Sequence, residues 1–173
     1  ELYIHTRFDR DFPDLKAEAD HIRALAEQVP NIRIEHGSKS RRSYVEWMSA
    51  LDVYCFISSG EGFSITPREA LHLGVPVVLH DAHIHREFSH LPGVVKVPSL
   101  GLQTAPPNIN RSYDVGRDFR VDRSALKQAL VLARREHPRL RRELRMGYGR
   151  VLDLHDVGAI RRDWIETLSE RLI

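Results

Sequence analysis

The alternation of short apolar runs with amphipathic helical stretches limits this chain more than any other feature. Leu2-Tyr3-Ile4-His5 and Ile32-Arg33-Ile34-Glu35-His36 read as strands. Between them Leu15, Ala19, Ile22, Ala26 and Val29 mark one face of a helix. A short helix carrying Tyr44, Met48 and Leu51 follows. Val53-Tyr54-Cys55-Phe56-Ile57 is apolar throughout, the pattern of a central parallel strand covered on both faces. Pro76-Val77-Val78-Leu79-His80 repeats it, and Val94-Val95-Lys96-Val97 is a fifth strand. Strand–helix–strand repetition calls for right-handed crossovers. The expected fold class is therefore α/β, a doubly wound, Rossmann-like parallel sheet.

Residues 98–117 break the rhythm. Pro98, Gly101, Pro106, Pro107, Asn108 and Asn110 predict a long loop there, a candidate lid. Extra C-terminal helices follow: Leu126, Leu130 and Ala133 define one, and Leu140 and Leu144 sit in the next. A stripe of Val157, Ile160, Trp164, Leu168 and Leu172 marks the last, the pattern of a core-facing helix. At 173 residues the expectation is one domain, 1–173, large enough to hold a core without a disulfide or metal staple. The single cysteine, Cys55, excludes a disulfide framework and a multi-cysteine zinc site. Its apolar run predicts a buried, inert thiol in a reducing compartment.

Net charge is only +2, but it is unevenly spread: residues 111–150 carry 12 basic against 5 acidic side chains. This Arg-rich segment is either a solvated helical face or a surface for anionic lipid headgroups or a phosphorylated ligand. Nucleic acid is disfavoured, because aromatics in that segment stop at Tyr113, Phe119 and Tyr148. No apolar stretch approaches the ~20 residues of a membrane span, and no signal-peptide pattern is visible. The expected location is cytoplasmic, with peripheral membrane contact through the basic segment as a further expectation. The start at Glu1, already strand-like, suggests a piece of a longer polypeptide.

The chemistry concentrates in Ser58-Ser59-Gly60-Glu61-Gly62-Phe63-Ser64-Ile65-Thr66-Pro67-Arg68-Glu69-Ala70-Leu71, where a strand ends and a helix begins. In open α/β sheets ligands bind at the carboxyl ends of strands. Gly60 and Gly62 permit close approach of backbone to ligand. The helix start offers unpaired N–H groups suited to a phosphate. Thr66-Pro67-Arg68-Glu69 has the form of a capping box, which gives Glu69 a purely structural reading beside any functional one. Gly60-Glu61-Gly62 lacks the third glycine of a dinucleotide fingerprint, and Gly37-Ser38-Lys39-Ser40 is not a Walker A loop. Eight helical residues separate the Glu61 and Glu69 Cα atoms by ~12 Å, which argues against a retaining-glycosidase carboxylate pair.

This stretch resembles the donor-site motif of retaining GT-B glycosyltransferases of the family 4 (glycosyl transferases group 1) kind. Their motif is Glu-x7-Glu within a pattern close to Ser-x-x-Glu-Gly-Phe-x-x-x-x-x-Glu-Ala, which Ser58, Glu61, Gly62, Phe63, Glu69 and Ala70 fill. The likeness runs on through Gly74-Val75-Pro76-Val77-Val78, and upstream through Ala50-Leu51-Asp52-Val53. It implies the C-terminal, nucleotide-sugar-binding half of a GT-B fold. Glu61 would face the donor sugar and stabilise positive charge at the anomeric carbon. Glu69 would take the ribose hydroxyls. Gly62, Phe63, Ser64 and Ile65, with the helix terminus, would hold sugar and diphosphate oxygens. The implied substrate is a nucleotide-diphosphate sugar, with a saccharide or lipid-linked acceptor, and the implied chemistry needs no metal or other cofactor.

Departures from that pattern matter equally. The family's Gly-Gly-x-x-Glu loop aligns on Glu87, which puts His83 and Ile84 where glycines belong. His80, His83, His85 and His90 crowd this region as metal ligands, as donors to substrate, or as ordinary surface histidines. An amino-terminal acceptor domain, the first βα unit and its basic residues are not in the sequence; Arg7 is a weak substitute. The isolated chain is therefore expected not to turn over substrate. Two other readings remain: a non-catalytic Rossmann-like module that binds partners or membranes, and a GT-B-fold epimerase acting on a nucleotide-sugar.

Overall fold

The computed structural model describes residues 1–6, 13–104 and 117–153. Contacts divide the chain into two compact units, one spanning Glu1–Tyr44 and the other taking Val45–Thr104 with the chain from Arg117 onward. Among the described residues the architecture is mixed α/β: five strands pair in parallel, two pair antiparallel, and six α-helices accompany them.

The first unit holds β1 (Leu2–Thr6), α1 (Pro13–Glu27) and β2 (Ile32–His36). The strands run parallel in register from Leu2↔Ile32 to Thr6↔His36. A helical crossover is what two parallel neighbours require. Tyr3 donates from its hydroxyl to Glu35 at 3.1 Å across the pair. The expected stripe on α1 is half-buried at Ile22 and Ala26, whereas Val29 lies beyond the helix and is exposed. α2 (Arg41–Ser49) follows, and Ser40 opens it by accepting the Ser43 N–H at 3.1 Å. Its Met48 is fully buried.

In the second unit β3 (Tyr54–Phe56), α3 (Ile65–His72), β4 (Val77–His80) and β5 (Val94–Val97) form a parallel sheet of order β3-β4-β5. The strand expected at the centre is not there. Among the described residues β3 stands at the sheet edge with Cys55 exposed, and β4 holds the middle with all four side chains buried. An apolar run alone cannot distinguish the two, since position in the sheet depends on which strands pair. Val78, Val95 and Val97 pack against Ala129, Ala133 and Leu140. Alternation then sends Val77 and Leu79 to the opposite face.

The expected 98–117 loop is also corrected. Ser99–Thr104 is a strand, β6, paired antiparallel with β7 (Arg117–Val121). Only the stretch between them, with Pro106, Pro107, Asn108 and Asn110, lies outside the described residues. Gly101, at φ +88, sits where the register shifts between Ser99 and Leu102, and glycine adopts that conformation without a Cβ clash. A turn signal was thus a bulge inside a strand.

Asp122 caps α4 (Arg123–Arg135) by accepting the Ser124 and Ala125 N–H groups at 2.8 and 3.2 Å. The buried side of α4 is Ala129 and Ala133, with Leu126 partly buried and Leu130 exposed. α5 (His137–Met146) buries Leu140 and Leu144, and α6 (Tyr148–Asp153) buries Val151. Gly147 lets α5 turn into α6 against Pro92, because a Cβ there would lie 2.5 Å from Pro92 Cγ. Arg7 and the stripe from Val157 to Leu172 lie outside the described residues. No helix among the described residues is long and apolar enough to cross a membrane.

Candidate functional site

The segment from Ser58 to Glu69 connects the carboxyl end of β3 to α3. Ser58 closes the first turn, its hydroxyl donating to the Gly60 carbonyl at 2.9 Å. Glu61, Gly62 and Phe63 are exposed, and Ile65 is 59% exposed. Ser64 is different: it is buried, holds the left-handed conformation at φ 57, and its hydroxyl finds no partner among the described residues.

The capping box expected at Thr66–Glu69 does not form. Ser64 occupies the cap position without a side-chain bond, and α3 begins at Ile65, one residue before Thr66. Thr66 instead accepts the Tyr54 hydroxyl at 3.0 Å, tying α3 to β3. Pro67 is tolerated at the third helical position because the first four N–H groups of any helix have no intrahelical partner. Burial raises the Tyr54 pKa above its ordinary value, and the charges of Glu61 and Glu69 push it the same way.

Arg68 is the residue that sequence reasoning missed. It is 3% exposed, its Nε donates to the Phe63 carbonyl at 3.0 Å, and its Nη2 reaches Glu87 at 3.2 Å. The guanidinium carbon lies 4.4 Å from the ring centroids of both Phe63 and Phe88. A buried arginine survives when it is paired and stacked in this way. The available signal was its spacing: Pro67, Arg68, Ala70 and Leu71 share the buried side of α3.

Three of the four clustered histidines meet beside this loop. His80 Nδ1 and His83 Nε2 both bond the Ser58 carbonyl, at 2.8 and 3.2 Å. His85 Nδ1 bonds the His80 carbonyl at 2.8 Å. The His83 ring sits 4.2 Å from that of His85 and 5.7 Å from that of Phe119 on β7. Phe119 also donates its N–H to the Ser59 carbonyl at 3.1 Å, so the β6–β7 ribbon is attached to the glycine loop. His90 is exposed and stands apart, lining a hollow with Leu91, Arg150 and Asp153.

The structure thus sets Glu61 on the exposed loop and Glu69 half-buried on α3, with Phe63 over Arg68 and Ser64 buried at the helix start. A hollow of about 740 Å³ lies elsewhere, between β5 and α4, lined by Val95, Lys96, Lys127, Val131 and Arg135 among others. Neither the Ser58–Glu69 segment nor the three clustered histidines line it. Among the described residues no three His, Cys, Asp or Glu side chains are arranged to hold a metal ion. No protein-family model matches the chain, and no curated protein does.

Proposed function

We propose that this chain is the donor-binding part of a retaining glycosyltransferase, a Rossmann-like half of a GT-B fold that takes a nucleotide-diphosphate sugar. The observation that supports the reading is the Ser58–Glu69 segment itself, which runs from the carboxyl end of parallel strand β3 into α3, with Glu61 exposed, Ser64 buried at the helix start and Arg68 holding the Phe63 carbonyl. Glu69 takes the ribose hydroxyls. Glu61 stabilises the anomeric centre as the bond to the diphosphate breaks. The first amides of α3 and the partial positive charge of its terminus receive phosphate oxygens. None of these roles calls for a metal. On this reading the acceptor site lies on a second domain, and transfer needs both.

The test is thermal protection. A saturating nucleotide-diphosphate sugar at 100 times its Kd adds ~2.7 kcal/mol to stability, a readily measured shift. Glu69→Ala is expected to remove that protection. Absence of a shift with uridine, guanosine and adenosine diphosphate sugars alike sinks the reading.

The α4–α6 surface favours a second role, peripheral attachment to an anionic membrane at the cytoplasmic face. Arg123, Lys127, Arg134, Arg142 and Arg145 are exposed there beside Leu130, Val131 and Met146, the last 82% exposed. Cations interleaved with bare apolar side chains suit a lipid surface. Sedimentation with anionic vesicles, weakening as salt rises, supports this role, and equal binding to neutral vesicles removes it.

A further inference from the structure

The three imidazoles beside the glycine loop share an unusual state. A carbonyl oxygen only accepts, so the bonds to Ser58 and His80 put the ring proton of His80 on Nδ1, of His83 on Nε2 and of His85 on Nδ1. The other nitrogens, His80 Nε2, His83 Nδ1 and His85 Nε2, are buried and meet no donor among the described residues. Buried polar atoms are nearly always paired, and three exceptions in one cluster require a reason.

Their surroundings are aromatic: Phe56 and Phe88 edge the His85 ring, and Phe119 lies against His83. The charged neighbours are few. From α3 comes Arg68, which is already paired with Glu87. After β4, Asp81 accepts the Ser89 hydroxyl, and Arg86 bonds the Asp81 carbonyl. On β7, Asp118 and Arg120 pair with each other on either side of Phe119. No carboxylate bonds any of the three rings in these contacts. His83 itself holds the left-handed conformation at φ 40, a strained state that concentrates at ligand sites.

A lone pair without a donor can accept a proton, but an apolar pocket without counter-charge opposes it. Burial accordingly pushes His85 down to about 4. An anion placed next to the cluster reverses that balance. We propose that the His80–His83–His85 cluster takes up a proton when a diphosphate-bearing ligand settles on the Ser58–Ser64 loop and the start of α3, so that the ligand binds more tightly as pH falls. The inference rests on the donor-site reading above and adds to it a regulating variable. His83 is the member placed to respond: it is partly exposed, stands on the left-handed turn, and occupies a position where the resembled motif has glycine. His85, fully buried and near the Arg68 charge, is the least suited.

Nucleotide-diphosphate sugars are the right probes, because their diphosphate diester stays ionised across the range tested. Titration calorimetry with the uridine, guanosine and adenosine diphosphate glucoses, in two buffers of different ionisation enthalpy, counts protons taken up on binding. We expect about half a proton near pH 6.5, and roughly five-fold tighter binding at pH 5.5 than at pH 7.5. His83→Gly relieves the left-handed strain and should abolish the uptake and the pH dependence. His83→Asn, which tolerates that backbone, should do the same if the glycine variant folds poorly. Binding without proton uptake, or uptake unchanged in both variants, overturns the proposal and leaves the donor site standing. Failure of all three probes to bind at any pH removes the donor site and this proposal with it.

Discussion

Arg68 donates to the carbonyl of Phe63 at 3.0 Å while its guanidinium stacks 4.4 Å from the Phe63 ring. One side chain thereby holds the loop that carries Glu61 against the helix that carries Glu69. The same guanidinium reaches Phe88 and Glu87 beyond β4, so loop, helix and following turn are clamped at a single buried point.

Arg68→Leu is expected to destabilise the fold by roughly 2–3 kcal/mol, since a part-buried carbonyl loses its donor and two rings lose their cation. Glu87→Gln should cost less than about 1 kcal/mol, because Glu87 is 61% exposed and an amide oxygen still accepts. Chemical denaturation of the two variants measures both. Equal losses would mean that the ion pair, rather than the stack and carbonyl bond, holds the clamp.

Ser64→Gly should stabilise the fold by about 1 kcal/mol. Glycine adopts φ 57 without a Cβ penalty, and the substitution removes a buried hydroxyl that lacks a partner among the described residues. The same variant should lose part of the thermal protection given by nucleotide-sugars. A melting temperature that falls in the variant contradicts the strain argument.

Stability should decline as pH drops from about 6.5 to about 4. His85 ionises near 6.5 in the unfolded chain but only at about 4 when folded, because burial disfavours its charge. Between those values the unfolded state binds more protons, so unfolding gains on acidification, by on the order of 2 kcal/mol. Denaturation midpoints at pH 7, 6, 5 and 4.5 test this against His85→Phe, which should flatten the dependence.

Cys55 is exposed yet should react slowly. Burial around the thiol pushes its pKa up to about 11 from the ordinary 9.0, although the residue as a whole keeps surface at the sheet edge. The thiolate is the reacting species, so alkylation at pH 8 should run on the order of 100-fold slower than for an unperturbed cysteine. Alkylation at the ordinary rate would show that the sulfur meets water freely.

Much of the parallel framework could be read in advance because its strands are short runs rich in apolar residues. β2 and β5 begin and end where the runs do, and β4 loses only Pro76. The reading failed where a residue has two uses. Gly101 signals a turn and serves a bulge. Thr66 suits a cap and accepts from Tyr54. An arginine suits solvent, and Arg68 is buried between two rings. Nothing local distinguishes these uses, since each depends on a partner distant in the chain.

Periodicity determined by itself which segments become strands and helices, because side-chain alternation and helical pitch are local consequences of backbone geometry. Composition also placed the acidic glycine loop between a strand and a helix. Only the tertiary structure decided that β4 rather than β3 takes the centre, that Arg68 lies buried between two phenyl rings, and that three histidines gather with unpaired nitrogens. Those outcomes depend on which surfaces exclude water together, and that is settled by packing across the whole unit rather than by any neighbourhood of sequence.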